Sequence, residues 1–205
     1  MKKVEFFFDC SSPWTYLAFH RLQDIIKETR VNVYWRPILV GGVFNEVNQD
    51  VYNNRLNPNR LKFKYSRKDL QDWANFYQIS INWPDIFPLN AVNVMRGVIV
   101  ANSFEKLIPF SSSCFEAYWS KGTDISELGT LSKIAESIGI DKEEFNKKII
   151  HKDTKDLLRS NTDELINRGG FGSPTVFIDN DDMYFGNDRM ELIRNKILEE
   201  KNENK

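Results

Sequence analysis

The residues best placed to do chemistry lie near the N-terminus, in the run Asp9-Cys10-Ser11-Ser12-Pro13. An apolar segment that predicts a buried strand precedes this run, and apolar residues at helical spacing follow it. Serine is a favoured N-cap and proline a favoured first helical residue, so a helix is expected to begin here. The free amides of a helix end attract an anion such as a thiolate, a phosphate or a carboxylate. The run could equally be a plain cap of a strand-to-helix turn.

The chain has two cysteines, Cys10 and Cys114, which lie far apart in the sequence. This number and spacing predict neither a disulfide framework nor a metal site, and they are typical of proteins from a reducing cytoplasm. Cys10 lies two positions before Ser12 and does not form a redox pair with it. Two interpretations remain open for Cys10: a buried small apolar side chain, or a second thiol near the site.

Composition limits the classes of partner. The chain of 205 residues carries a formal net charge of -1, so no general attraction to nucleic acid or to anionic lipid is expected. No apolar stretch reaches the ~20 residues that cross a bilayer, and no signal peptide is evident. We therefore expect a cytoplasmic protein without a metal, a nucleic-acid partner or a membrane.

The elements that must position Ser12 follow the order β-α-β, a helical block, then β-β-α. Strands are predicted over residues 4–8, 31–39, 175–178 and 183–185, and helices over 13–28, 59–77, 90–107, 111–121, 124–138, 141–151, 154–168 and 187–199. We expect an α/β fold in which residues 1–44 and 168–205 form one sheet domain and residues 45–167 form an all-helical insertion. Ligands of such sheets bind beyond the carboxyl ends of strands, where Ser12 lies.

This order of elements, with Gly172-Ser173-Pro174-Thr175 before the third strand, resembles the thioredoxin-like fold. In that fold a cis-proline faces the helix that carries the active group. The resemblance places Pro174 in that position and implies a cis bond after Ser173.

A narrower resemblance, to the family of kappa-class glutathione transferases and bacterial 2-hydroxychromene-2-carboxylate isomerases, rests on short stretches that occur in the same order over almost the whole chain. They are Phe8-Asp9-Cys10-Ser11-Ser12-Pro13, Arg36-Pro37-Ile38-Leu39, Gly41-Gly42-Val43-Phe44, Lys68-Asp69-Leu70-Gln71-Asp72-Trp73-Ala74, Phe87-Pro88-Leu89-Asn90, Phe171-Gly172-Ser173-Pro174-Thr175 and Phe185-Gly186-Asn187-Asp188-Arg189. One departure is Cys10, where this family commonly has an apolar or aromatic residue.

The resemblance implies glutathione as cofactor and assigns roles to several residues. Ser12 replaces the first thiol of the redox pair and meets the glutathione sulfur. Ser173, next to Pro174, pairs its backbone with the cysteinyl unit. The acidic turn Asn187-Asp188 holds the γ-glutamyl end.

Two further contacts to glutathione are implied at Asn48, after the second strand, and at Lys62, on the first inserted helix. A substrate pocket is expected between the sheet and the helical insertion. Four aromatic residues are candidates for its wall: Trp14, Phe44, Trp83 and Phe87.

The family resemblance implies a glutathione-dependent cis-trans isomerase that acts on an intermediate of aromatic hydroxy-acid breakdown, in a homodimer. One alternative keeps the site but conjugates glutathione to an electrophile or reduces a hydroperoxide. A second is a thioredoxin-like disulfide oxidoreductase or a module that binds peptides. A third is a purely structural thioredoxin-like domain.

Overall fold

A four-stranded sheet forms the centre of the structure, a computed structural model that describes residues 2–203 and the side chains of residues 2–199. The strands are β1 (Val4–Phe8), β2 (Val33–Pro37), β3 (Thr175–Ile178) and β4 (Asp182–Phe185). Their order across the sheet is β2-β1-β3-β4; β1 pairs with β2 in parallel and with β3 antiparallel, and β3 pairs with β4 antiparallel. The predicted thioredoxin-like arrangement of strands from the two ends of the chain is confirmed.

Helices surround the sheet and fill the middle of the sequence. They are α1 (Pro13–Thr29), α2 (Val40–Val47), α3 (Asp50–Leu56), α4 (Arg60–Phe76), α5 (Val92–Asn102), α6 (Leu107–Phe115), α7 (Leu128–Ser137), α8 (Lys142–Ile149), α9 (Lys152–Asn167) and α10 (Met190–Glu203). A π-helical turn, Glu116–Ser120, follows α6, and a 3-10 turn, Asn187–Arg189, precedes α10. Among the described helices, none combines the length and apolarity needed to cross a bilayer.

The strand β1 is buried along its whole length because helices cover both faces of the sheet. Alternate side chains point to opposite faces, so Val4, Phe6 and Phe8 join the core that contains α1. Phe7 packs on the other face with Leu165 of α9. Fixing β1 between two cores also fixes the point at which it ends, immediately before Asp9.

Glu5 is the buried acid of this strand and pairs with three cations. Its carboxylate oxygens lie 3.1 Å from the Arg36 guanidinium, 3.0 Å from that of Arg168 and 3.2 Å from the Lys3 amine. Burial raises the pKa of Glu5, whereas its bonds to these cations lower it, and the net pKa lies below the usual value. Because Arg168 directly follows α9, this cluster ties the end of the helical block to the centre of the sheet.

Two differences from the predicted elements concern helices between β2 and β3. The chain forms α2 and α3, where Gly41-Gly42 had predicted only the end of the strand. The cause is a tertiary contact, since the Asp9 carboxylate accepts a 2.8 Å hydrogen bond from the first amide of α2, at Val40. The helix predicted over 90–107 ends at Asn102, because Glu105 adopts a left-handed φ of 59°. The division into domains at residues 44–45 and 167–168 stays a prediction.

Candidate active site

Ser12 lies at the junction between β1 and α1 and is the N-cap of α1. Its backbone is extended, and its Oγ accepts a 3.2 Å hydrogen bond from the Thr15 amide. The same Oγ donates to the Ser173 carbonyl at 3.3 Å. The Ser173-Pro174 peptide is cis, so the structure brings the N-terminus of α1 and the cis-proline loop together. A hydroxyl and a helix end therefore face one backbone edge of this loop.

A buried hydroxyl network holds this edge in place. The Ser173 Oγ accepts a 3.0 Å hydrogen bond from the Asp9 amide and lies 2.8 Å from the Thr15 Oγ1. Thr15 and Asp9 are both completely buried, and Ser173 is almost completely buried. The start of α1 and the cis-proline loop are more than 150 residues apart in sequence. Hydrogen bonds to both the backbone and the side chain of Ser173 connect them.

The Asp9 carboxyl group joins the N-termini of two helices. One oxygen accepts the Ser11 amide at 2.8 Å, and the other accepts the Val40 amide at 2.8 Å. Burial raises the pKa of Asp9, and these amide hydrogen bonds oppose the shift. Both oxygens are occupied by the backbone, so Asp9 positions the site rather than offering a free acid to a ligand.

Cys10 is completely buried, which favours the first of its two interpretations. Its amide donates to the Met95 sulfur at 3.3 Å, and its carbonyl accepts from the Trp119 indole at 3.0 Å. Burial raises the pKa of the Cys10 thiol well above its usual value. A buried thiol with a raised pKa is inert as a nucleophile. Cys10 therefore acts as a small core side chain.

A cavity of about 610 Å³ lies beside the cis-proline loop. It is lined by Ser173, Pro174, Asn187 and Asp188 from the sheet domain and by Trp14, Tyr65, Asp69 and Trp73 from α1 and α4, with Phe185, Gly186 and Arg189 completing the wall. Asn187 is only 4% exposed, yet its amide nitrogen Nδ2 has no hydrogen-bond partner among the described residues. A buried donor without an acceptor is costly, and this one belongs to a residue of the cavity wall.

A second cavity, of about 320 Å³, lies on the other side of Ser12 along the chain. Asp9, Ser11 and the first residues of α2 form one side, and Phe44, Tyr52 and Arg55 of α2 and α3 form another. The loop before α5 closes it with Phe87, Pro88 and Leu89. Ser12 itself lines neither cavity, but its neighbours in the chain line both: Ser11 lines this one, and Trp14 lines the other.

Two candidate residues lie apart from the walls of these cavities. Asn48 ends α2, and its side-chain amide donates a 3.1 Å hydrogen bond to the Phe171 carbonyl. Asn48 thus holds the loop that leads to Ser173. Lys62 lies in the exposed first turn of α4, three residues before Tyr65 and therefore on the same helix face.

The four aromatic residues predicted to form the wall of the substrate pocket lie in different places in the structure. Phe44 and Phe87 line the cavity next to Ser11, whereas Trp14 lines the cavity next to Pro174. Trp83 packs instead on Phe87, with 4.7 Å between the ring centroids.

Sequence reasoning missed the positioning role of Thr15 and the presence of Arg55 at the second cavity. Thr15 had a readable signal, because it is the third helical residue after the Ser12 cap. Arg55 had none, because its place depends on the packing of α3.

These observations define a class: a thioredoxin-like domain in which a serine N-cap, rather than a cysteine, faces the cis-proline loop. Residues 3–198 match the family described as the DSBA-like thioredoxin domain. The chain belongs to this family.

Individual relatives within this family show a closer similarity to the chain. The chain is similar to 2-hydroxychromene-2-carboxylate isomerase of Sphingobium xenophagum, with 26% identity over 204 residues that cover 97% of this chain and 99% of that protein. It is also similar to human glutathione S-transferase kappa 1, with 28% identity over 214 residues, 97% of this chain and 92% of that protein. These full-length similarities confirm the predicted resemblance and support an enzyme of this type.

The solved structures agree on the fold. A structure of 2-hydroxychromene-2-carboxylate isomerase superimposes with a TM-score of 0.83 and 24% identity, and the alignment covers 98% of this chain and 97% of that one. The helical segment between β2 and β3 is therefore part of a shared architecture.

Proposed function

We propose that this protein is a glutathione-dependent cis-trans isomerase of the 2-hydroxychromene-2-carboxylate isomerase type. The observation that carries the proposal is the place of Ser12, whose hydroxyl lies at a helix N-terminus, 3.3 Å from the Ser173 carbonyl, in a segment whose residues Ser11 and Trp14 line two different cavities. One cavity would hold the cofactor and the other the substrate. The names of the relatives, an isomerase and a glutathione transferase, support both halves of this assignment.

The residues beside the cis-proline fit glutathione. The unpartnered amide of Asn187 is a donor for the carboxylate of a γ-glutamyl group, and the neighbouring Asp188 is an acceptor for its ammonium. The backbone of Ser173 would pair with the cysteinyl unit, against Pro174. Asn48 and Lys62, which lie apart from the walls of this cavity, remain proposed contacts.

Bound glutathione would supply a thiolate that adds reversibly to an electron-poor double bond, so that the bond can rotate before the thiolate leaves. The protein's part is to hold that sulfur as an anion. The Ser12 hydroxyl, which donates to the Ser173 carbonyl in this structure, would turn its one proton to the sulfur, and the N-terminus of α1 adds a favourable dipole. Ser12 has no sulfur, so this side chain cannot itself carry out thiol-disulfide exchange.

The magnitude required of Ser12 and α1 is modest. A thiol with a pKa near 8.5 is only ~3% thiolate at pH 7. A helix end and one charged hydrogen bond together lower such a pKa by ~1.5–2 units, or about 2–3 kcal/mol. About half to three-quarters of the bound thiol would then be ionised at pH 7.

The substrate would be a small aromatic compound, because Phe44 and Phe87 line the cavity next to Ser11. The name of the isomerase relatives indicates its chemistry, since the ring-opened form of a 2-hydroxychromene-2-carboxylate has a double bond conjugated to a ketone and a carboxylate. We propose further, on the family resemblance, that the chain works as a cytoplasmic homodimer.

A kappa-class transferase or peroxidase is the alternative function, because the same site would serve it. Stoichiometry separates the two. We expect glutathione to bind with an increase in thiolate absorbance near 240 nm, and to remain undiminished while 2-hydroxychromene-2-carboxylate is converted. If glutathione disappears in step with the substrate, the reaction is a conjugation. If the titration shows no binding, the cofactor assignment is wrong.

A further inference from the structure

Arg55 crosses the mouth of the cavity next to Ser11. It lies in the last turn of α3, and its guanidinium carbon lies 5.6 Å from the centroid of the Phe44 ring and 5.5 Å from that of Phe87. The side chain thus connects α2 to the loop before α5. An arginine held beside aromatic rings by cation–π contacts keeps its N–H groups available for hydrogen bonds.

The charge of Arg55 is not committed to another residue of the protein. Among the side chains that the structure describes, no carboxylate forms an ion pair with it, whereas Arg36, Arg168 and Arg194 all have acidic partners. Arg55 is also the one cationic side chain among the described residues that line this cavity.

The first helix amide and the buried acid at this cavity are already paired. The N-terminus of α2 opens onto it, but the Val40 amide already donates to Asp9. Asp9 is completely buried, and its second oxygen accepts the Ser11 amide. A negatively charged ligand would therefore be drawn to Arg55, at the side of the cavity away from Asp9.

We propose that Arg55 binds the carboxylate of the substrate and thereby selects aromatic compounds that carry a carboxylate. Phe44 and Phe87 would contact the ring of the same molecule, and its double bond would point towards Ser12. This inference rests on the proposed function, because it assigns the substrate to the cavity next to Ser11. Arg55 is a specificity residue in this scheme and takes no part in ionising the cofactor.

The test replaces Arg55 and compares a charged with a neutral substrate. For Arg55→Met, the KM for 2-hydroxychromene-2-carboxylate should rise roughly 10–100-fold, the effect of one charged hydrogen bond, while kcat changes little. The KM for the methyl ester should stay within about threefold of wild type. Arg55→Lys should recover part of the loss. Arg67→Met is the matched control, because Arg67 also stacks on an aromatic ring, 3.8 Å from the Trp83 centroid, but lines neither cavity.

A binding measurement keeps the inference separate from the catalytic proposal. Calorimetry without glutathione should show that trans-cinnamate binds wild type more tightly than methyl cinnamate does, and that Arg55→Met removes this preference. Equal affinities for the two probes, or a preference that survives in Arg55→Met, overturns the role of Arg55. Loss of glutathione binding by wild type would instead overturn the proposed function, and an unchanged glutathione affinity in Arg55→Met supports two separate cavities.

Discussion

Replacing Ser12 by alanine removes two interactions with different consequences. The Oγ caps α1 by accepting the Thr15 amide, and its one proton, which bonds the Ser173 carbonyl in this structure, would be redirected to the cofactor sulfur. Loss of a serine cap costs about 1 kcal/mol of stability, which lowers the Tm of a domain of this size by roughly 2–4 °C. This effect is structural and must be separated from the catalytic one.

The catalytic effect of Ser12→Ala follows from the charge on the sulfur. A hydrogen bond to a charged group contributes about 1.5–3 kcal/mol, so the pKa of the bound thiol should rise by roughly 1–2 units. The amides of α1 remain, so the pKa should not return fully to its free value. With the loss of orientation included, turnover at pH ~6.5 should fall by about 10²–10³, comparable to the loss of one oxyanion donor.

The sign of the pH dependence makes the prediction specific. A depressed thiol pKa provides thiolate above that pKa and loses it as the pH falls. The deficit of Ser12→Ala should therefore be largest at pH ~6.5 and should shrink above pH ~8.5, where the free thiol ionises unaided. The assay is the thiolate absorbance of bound glutathione against pH, with turnover measured in the same buffers.

Asp141→Ala provides the matched control for stability. Asp141 is the N-cap of α8, where its side chain accepts the Glu144 amide at 2.8 Å, and it lines neither cavity. This variant should lose a similar amount of stability and keep its activity. An identical pKa of the bound thiol in wild type and Ser12→Ala would refute the role of the hydroxyl, whatever the turnover.

Three further predictions concern residues around the site and in the sheet. Thr15→Val should lower the free energy of unfolding by about 1 kcal/mol and weaken glutathione binding, because it removes the hydrogen bond to Ser173 Oγ; chemical denaturation and calorimetry measure the two effects. Asp188→Ala should weaken glutathione binding by about 1.5–3 kcal/mol in calorimetry, the contribution of a charged hydrogen bond. Glu5→Gln should be less stable at pH 7 but lose less stability on acidification, because the depressed pKa of Glu5 stabilises the folded state fully above its unfolded pKa of about 4.5 and progressively less as the pH falls towards the lower pKa of the folded state; denaturation from pH 3 to 7 tests this.

Each of these predictions has an outcome that contradicts it. Thr29→Val, which removes a buried hydrogen bond from the far end of α1 to the Ile25 carbonyl, should leave glutathione binding unchanged, so an equal loss in both threonine variants would reject a local effect. An unaltered affinity in Asp188→Ala would remove Asp188 from the site. Parallel stability curves for wild type and Glu5→Gln would show that this carboxylate does not titrate between its folded and unfolded values.

The sequence predicted the sheet well because both faces of its central strands are buried. Continuous apolar runs bounded by turn residues led to the observed limits of β1 and β3. The predictions for the helical block were less accurate at the ends of its helices. The break after Asn102 depends on the left-handed conformation of Glu105, a residue with no intrinsic preference for it.

The residues of the site likewise differ in how well the sequence predicted them. Ser12, Ser173 and Pro174 could be predicted to meet, because a motif and a known arrangement of strands place them. Arg55 could not be predicted, because α3 forms in a segment whose helices depend on a capping contact from Asp9, 31 residues away from Val40. Side chains that reach a cavity through tertiary packing leave no local pattern in the sequence.

The separation of the two cavities has a kinetic consequence for the proposed reaction. A substrate joined covalently to glutathione would extend from one cavity into the other and could leave only by withdrawing from both at once. A rotated but unattached product needs a single exit. Two separate cavities therefore suit a glutathione molecule that stays bound while many substrate molecules enter and leave in turn. The reaction velocity would then depend on glutathione as on a saturable activator rather than on a consumed reagent.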